Sequence, residues 1–218
     1  MTQVTLIIDG LPVKAHAGEK VLWAALDNGI YIPNLCAIRE RPEPDGGCRL
    51  CWVEVMGLKD PVPACALEVT EGMVVTTAGP KALTLARAAF NLLMASHDLD
   101  CTHCKADGRC ELQTIARTLG VSLKPKQFRK LVRGLPVDDT HLLIRITPDK
   151  CVLCGRCVWE CRKHGKDALL GFARRGFDRV ITTYGEERGA SKCAGCLHCI
   201  EVCPVGALGL KDTITKIQ

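Results

Sequence analysis

The chain has 218 residues, 15 of them cysteine, with 47% hydrophobic but only 4% aromatic residues and a formal charge of +5. Fifteen is odd, so a framework made only of disulfides strands a thiol, and the opening MTQVTLIIDG lacks the basic segment and long apolar core of a secretory signal, which points to a reducing cytoplasm. No apolar run reaches the roughly 18 to 20 residues of a membrane span, so direct membrane insertion is not expected, and a core so poor in aromatics calls for reinforcement by metal.

Taken in chain order, Val4, Leu6 and Ile8 alternate against Thr5 and Ile7, and with a turn at Asp9-Gly10 and Leu11 to Lys14 beyond it they predict a β-hairpin. Glu19 to Asn28 places Val21, Leu22, Ala25 and Leu26 on one helical face and stops at Gly29, a suitable C-terminal cap. Past a Pro/Gly-rich loop, Cys51 to Met56 and Met73 to Thr76 read as strands, with Glu71-Gly72 as a turn. From Lys81 the period becomes helical, Leu85, Ala89, Leu92 and Leu93 recurring up to His97. A shorter helix, Glu111 to Leu119, ends at Gly120, and Lys124 to Arg133, with five basic residues and no acid, reads as a solvated connector. The last third repeats at an offset of 42, CVLCGRCVWEC at 151–161 and CAGCLHCIEVC at 193–203, with a hairpin expected around Gly176 between Leu170 and Thr183.

All fifteen cysteines fall into groups along this chain. Each repeat has C-x2-C-x2-C-x3-C spacing, in which three thiolates wrap one cubane and the fourth, a helical turn on, reaches the neighbouring cluster. The pattern assigns Cys151, Cys154, Cys157 and Cys203 to one 4Fe-4S cluster, and Cys193, Cys196, Cys199 and Cys161 to another. Pro204 follows Cys203 as the pattern expects, whereas Arg162 follows Cys161. Zinc uses two C-x2-C pairs and has no role for the third cysteine of each copy. Cys36, Cys48, Cys51 and Cys65, two close thiolates and two distant ones, suit a planar 2Fe-2S unit, with zinc as the rival; Gly46 and Gly47 let the backbone turn tightly there. Cys101, Cys104 and Cys110 lack a fourth ligand, and His97 or His103 is the candidate. By spacing alone this middle group fits a Cys3His zinc site as well as an iron-sulfur cluster. His16, His141, His164 and His198 read as surface or packing residues.

The stretches YIPNLC, GGCRLCWVEV, HDLDCTHCKADGRCELQ, CVLCGRCVWEC, GFARRGFDRVI and CAGCLHCIEVCPVGAL resemble, in this order, the N-terminal iron-sulfur region of the large NADH-dehydrogenase (complex I) subunit. They are also similar to the N-terminal region of iron-only hydrogenases and to the small diaphorase subunit of NAD-reducing hydrogenases. The resemblance implies one 2Fe-2S cluster on Cys36, Cys48, Cys51 and Cys65, and three 4Fe-4S clusters, one of them on His97, Cys101, Cys104 and Cys110. The expected fold class is α+β: a plant-ferredoxin-like β-grasp unit over 1–78, a small helical His/Cys3 cluster unit with its connector over 79–138, and a bacterial-type two-cluster ferredoxin unit over 139–218.

Oxidised cluster cores carry roughly +2 each, so four of them on fifteen thiolates add about −7 and bring the loaded chain to about −2 from the formal +5. The apparent basicity is therefore no argument for nucleic acid. No GxGxxG follows an expected strand, no cysteines remain for a hydrogenase active-site cluster, and nothing after residue 218 could form a molybdopterin domain. The expectation is an electron relay with no visible active site of its own. It would pass single electrons between a flavin subunit handling NAD(P)H and a separate catalytic subunit, such as a hydrogenase, a formate dehydrogenase or another reductase, with ferredoxin as a further candidate partner. The rivals are a free ferredoxin-like carrier and a zinc-stabilised interaction module. The loop Arg39 to Gly47 and the connector Lys124 to Arg133 are the expected docking faces, a plain solvated surface being the alternative for both.

Overall fold

A computed structural model describes residues 2–164, 169–184, 193 and 195–211. The architecture is α+β, and the chain divides into two units, residues 1–92 with 115–122, and 93–114 with 123–218.

The first unit is organised by strict alternation. In β1 (Gln3–Ile8), Val4, Leu6 and Ile8 are buried while Gln3, Thr5 and Ile7 face out, and β2 (Leu11–His16) returns antiparallel with Leu6 opposite Val13. Asp9 and Gly10 both adopt positive φ, 51° and 80°, the backbone that a two-residue hairpin turn demands. Helix α1 (Val21–Asp27) buries Val21, Leu22, Ala24 and Ala25, and Gly29 at φ 76° follows it. Strands β3 (Trp52–Val55), β4 (Val62–Pro63) and β5 (Val74–Thr76) complete a five-stranded sheet of order β2-β1-β5-β3-β4, parallel only between β1 and β5. The hairpin, α1 and the strands 52–55 and 74–76 agree with the sequence pattern. Strand β4 is too short to have one.

Helix α2 (Pro80–Ser96) follows the expected helical period, but the recurring leucines do not form its buried stripe. The residues turned inward are Ala82, Ala86, Phe90 and Met94, four apart, while Leu85 and Leu92 are 40% and 59% exposed. The helix start is capped from a distance: Glu54 Oε1, on β3, accepts from the backbone N–H of Lys81 at 2.8 Å and of Ala82 at 3.1 Å. That carboxylate sits against the positive end of the helix. A Cβ on Gly79 would lie 2.3 Å from the Glu54 Cδ, so glycine is what admits the cap. Helix α3 (Glu111–Leu119) buries Leu112, Ile115, Ala116 and Leu119 and is closed by Gly120 at φ 63°.

In the second unit, β6 (Ile144–Ile146) pairs antiparallel with β9 (Leu208–Leu210), so the two ends of the repeated region meet. Helix α4 (Arg156–His164) and the short α5 (His198–Glu201) each carry the third cysteine of a repeat, Cys157 and Cys199. The expected hairpin is present as β7 (Leu170–Ala173) and β8 (Val180–Thr183), with Leu170 opposite Thr183 and Ala173 opposite Val180. The connector is exposed from Lys124 to Lys130 except at Pro125, but its end is anchored rather than free. Leu131 N–H donates to the Ala95 carbonyl at 2.7 Å, Arg133 lies 3.7 Å from the buried Asp149 carboxylate, and Leu135 N–H donates to that carboxylate at 2.9 Å. Among the described residues, no helix is long and apolar enough to cross a membrane.

The cap on α2 is testable by a double-mutant cycle. Glu54→Ala should cost about 1–2 kcal/mol of stability, the usual scale of a lost helix cap. Gly79→Ala should cost at least as much in the wild-type background and markedly less once Glu54 is alanine. Denaturant melts of the four proteins measure the coupling, and strictly additive losses would refute the contact.

Candidate metal centres

In the first unit, Cys36, Cys48, Cys51 and Cys65 are all buried. The loop holding them turns through left-handed residues, Gly46 at φ 57° and Arg49 at φ 55°, and the Cys48 N–H donates to the Cys36 Sγ at 3.4 Å. The four thiols pair off. Hydrogen bonding to Cys48, reinforced by burial, pushes the Cys36 thiol up, while the same bond lowers Cys48 to about 6. Cys51 is likewise pushed up by its hydrogen bond to Cys65 and by burial, and Cys65 is lowered by it. Metal-free, each pair thus shares a proton that a metal must displace. Beside this set an open groove is lined by Trp23, Ala37, Ile38, Arg39 and Cys65. Arg39 lies 4.8 Å over the Trp23 ring and pairs with both carboxylate oxygens of Asp27.

The second set occupies a cavity in the other unit, lined by His97, Cys101, Cys104 and Cys110 together with Gln113, Lys150 and Val205. His97 is buried and its Nδ1 has no hydrogen-bond partner among the described residues. Burial lowers its pKa to about 4, partly offset by the Asp98 carboxylate, so the ring is the neutral imidazole that can donate to a metal. A buried, unpartnered ring nitrogen among three cysteines has the donor chemistry of a metal site. His103, the rival, is 82% exposed and bonds through its Nδ1 to Asp100 Oδ1 at 2.9 Å, and it does not line the cavity.

The chain closes around this set through the tail of the second repeat. Glu111 N–H donates to the Pro204 carbonyl at 2.9 Å, and a Cβ on Gly206 would stand 2.7 Å from the Ala106 Cβ and 3.4 Å from the Cys104 Sγ. Val205 completes the cavity wall. Nothing in the local spacing announces Lys150, Gln113 or Val205 as lining the same cavity as His97.

In the repeats, both copies place a left-handed residue on each side of the middle cysteine. These are Leu153 (φ 54°) and Gly155 (φ 77°) around Cys154, and Gly195 (φ 66°) and Leu197 (φ 59°) around Cys196. Holding a leucine there costs about 1 kcal/mol each, and the result is a tight curl around a middle cysteine that is half-buried in the first copy, Cys154, and exposed in the second, Cys196. The neighbourhoods cross. Cys203 stands within electrostatic reach of Cys151, Cys154 and Cys157, while Cys161 joins Cys196 and Cys193 around Cys199. Burial pushes Cys154, Cys157 and Cys110 up, and Cys151 and Cys199 up to about 12. Among the described residues, no three His, Cys, Asp or Glu side chains form a group that could hold a single metal ion.

Of the remaining histidines, His141 is buried and its Nδ1 accepts from Leu143 and Ile144 N–H, both at 3.1 Å, a packing role. His164 and His198 face each other with ring centroids 4.2 Å apart, and each pairs with a glutamate of its own helix, Glu160 and Glu201.

Residues 1–80 match a family described as a 2Fe-2S iron-sulfur cluster binding domain, 87–124 the NADH-ubiquinone oxidoreductase-G iron-sulfur binding region, and 144–210 a 4Fe-4S dicluster domain. The chain is 33% identical over 208 residues to the NADH-ubiquinone oxidoreductase 75 kDa subunit of Reclinomonas americana, covering 95% of this chain and 29% of that protein. It is 33% identical over 228 residues to the NADP-reducing hydrogenase subunit HndD of Solidesulfovibrio fructosivorans, covering 100% of this chain and 38% of that one. The chain therefore spans well under half the length of these curated relatives. A chain in a crystal structure of NAD+-reducing NiFe-hydrogenase in the H2-reduced state superposes with a TM-score of 0.82 at 30% identity, covering 96% of this chain and 88% of that one.

The crossed neighbourhoods predict a pattern of iron loss. Cys151→Ala, Cys203→Ala and the double variant should each lose the same roughly four irons, whereas Cys193→Ala with Cys203→Ala should lose about eight. Iron analysis of anaerobically purified variants measures this. Losses that group Cys203 with Cys193 would overturn the crossing.

Proposed function

This chain belongs to the family of iron-sulfur subunits that includes the 75 kDa subunit of NADH-ubiquinone oxidoreductase and the matching chain of NAD+-reducing hydrogenase, and on that premise we propose that it is a relay for single electrons. In this reading it carries one 2Fe-2S cluster on Cys36, Cys48, Cys51 and Cys65. Three 4Fe-4S clusters follow, on His97 with Cys101, Cys104 and Cys110, on Cys151, Cys154, Cys157 and Cys203, and on Cys193, Cys196, Cys199 and Cys161. The three-part division at 78 and 138, beginning with a β-grasp ferredoxin-like unit, then separates the chain by cofactor. A flavin subunit handling NAD(P)H would stand on one side of the relay and a separate catalytic subunit, a hydrogenase, formate dehydrogenase or other reductase, on the other.

One observation carries the reading: His97, buried and with an unpartnered Nδ1, lines one cavity with three cysteines while His103 points to solvent. A mixed imidazole and thiolate set of this kind, in the same chain as two crossed C-x2-C-x2-C-x3-C loops, fits cluster chemistry at every group. When bound, the clusters supply one-electron redox chemistry. In this reading the chain's own residues hold the clusters and their ligands in place, with no acid or base needed.

Anaerobically prepared protein should contain about fourteen irons and as many sulfides. His97→Cys should retain a cubane at the middle site and lower its potential, because a thiolate adds negative charge, while His103→Ala should leave its EPR signal unchanged. Stoichiometric zinc in place of iron would end this reading.

The isolated chain should not oxidise NADH even with a dye as acceptor, since hydride transfer delivers two electrons and each cluster takes one. Adding the flavin-bearing subunit should restore dye reduction. Steady NADH-dye activity from flavin-free chain would contradict the relay assignment.

A further inference from the structure

The hairpin β7–β8 ends in a tip that the proposed relay leaves unused. Its sequence, Ala173-Arg174-Arg175-Gly176-Phe177-Asp178-Arg179, sets three arginines and a phenylalanine against one aspartate. Phe177 is 89% exposed, the most exposed large apolar side chain among the described residues. The tip is not slack. Arg133, at the end of the connector, donates through Nη1 to the carbonyl of Phe177 at 2.7 Å and to that of Arg179 at 3.0 Å. Arg133 is itself held near the buried Asp149 carboxylate, 3.7 Å away. Behind the tip, Arg179 covers the Phe172 ring at 3.7 Å, and the Tyr184 hydroxyl bonds the Phe172 carbonyl. Arg174 and Gly176 take left-handed backbone, φ 60° and 58°, which fixes the turn that carries Phe177 outward.

A turn latched to present one aromatic ring to solvent, with the exposed Arg174 and Arg175 just before it in sequence, has the composition of an interface anchor. We propose that the Phe177 tip is a docking knob for an acidic surface of a partner subunit, the ring entering an apolar pocket and Arg174 and Arg175 meeting carboxylates around it. The proposal rests on reading this chain as a subunit of a larger assembly. Charge complementarity selects an acidic partner, and the latch selects a protein one. A preorganised anchor loses little freedom on docking into a shaped pocket, whereas a lipid surface takes up extended apolar faces or acyl chains rather than one ring on a locked turn.

The test uses the native complex, purified through a tag on the full chain. Phe177→p-benzoylphenylalanine, photolysed in that complex, should cross-link to one co-purifying subunit at a peptide rich in Asp and Glu, and the same probe at the exposed Leu11 should not. Phe177→Ala and Arg175→Glu, with iron content unchanged, should each speed dissociation of that subunit by about ten-fold or more. Raising the salt should weaken the wild-type contact more than the Arg175→Glu one. An intact complex in which position 177 cross-links no better than position 11, or in which Phe177→Ala leaves dissociation unchanged, overturns the docking knob while leaving the relay reading intact. Binding of the full chain to phosphatidylglycerol vesicles, lost in Phe177→Ala, overturns it in favour of a lipid surface. If no subunit co-purifies with iron-loaded chain, the assembly premise fails and the knob with it.

Discussion

Burial of sulfur works against its own ionisation, and much of this chain is arranged around that conflict. At Cys110, Cys151, Cys154, Cys157 and Cys199 the protein interior disfavours the thiolate, yet the thiolate is the form that binds metal. A cationic inorganic core would reconcile the two, and beside these cysteines the backbone bends as ordinary packing would not bend it. The left-handed Arg49, Leu153 and Leu197, each beside a cysteine, are the local strain that such wrapping carries. The regular structure is correspondingly modest, with short strands, a four-residue α5 and long loops, because the thiols occupy positions that aromatic residues fill in a larger core.

How much of this was legible in the sequence depended on the range of the interaction. Local rules served well: the Asp9-Gly10 hairpin, the alternation of β1, and helix ends at Gly29 and Gly120 are all decided within a few residues. The cysteine spacing reached further, since a fixed count between thiols constrains which loop each can serve, and the grouping of Cys203 with Cys151, Cys154 and Cys157 follows that count. The failures came where partners are distant. Glu54 caps a helix that begins 26 residues later, and only the three-dimensional approach explains why residue 79 is glycine. The three-residue strands β6 and β9 carry no period to detect, and the recurring leucines of α2 do not mark its buried face. Arg133, one of five cations in a run that reads as solvated, instead donates to two carbonyls more than forty residues away in sequence.

Composition alone is a poor guide to charge here. Formal positive charge in the apo chain coexists with fifteen cysteines whose conversion to bound thiolates would reverse the balance. What remains positive is local, concentrated at the latched hairpin tip and along the exposed connector, and local charge governs orientation between proteins more than net charge does.

The exchange of fourth cysteines between the two repeats bears on the order of events during synthesis. On the proposed ligation, a nascent chain that has emerged only through Cys161 owns three ligands of one cubane and a single ligand of the other. Neither can be finished until the second repeat leaves the ribosome, one cubane gaining its last ligand at Cys199 and the other at Cys203. Both sites would then become complete within a few residues of translation, so a chain interrupted before the second repeat would hold no saturated cubane there.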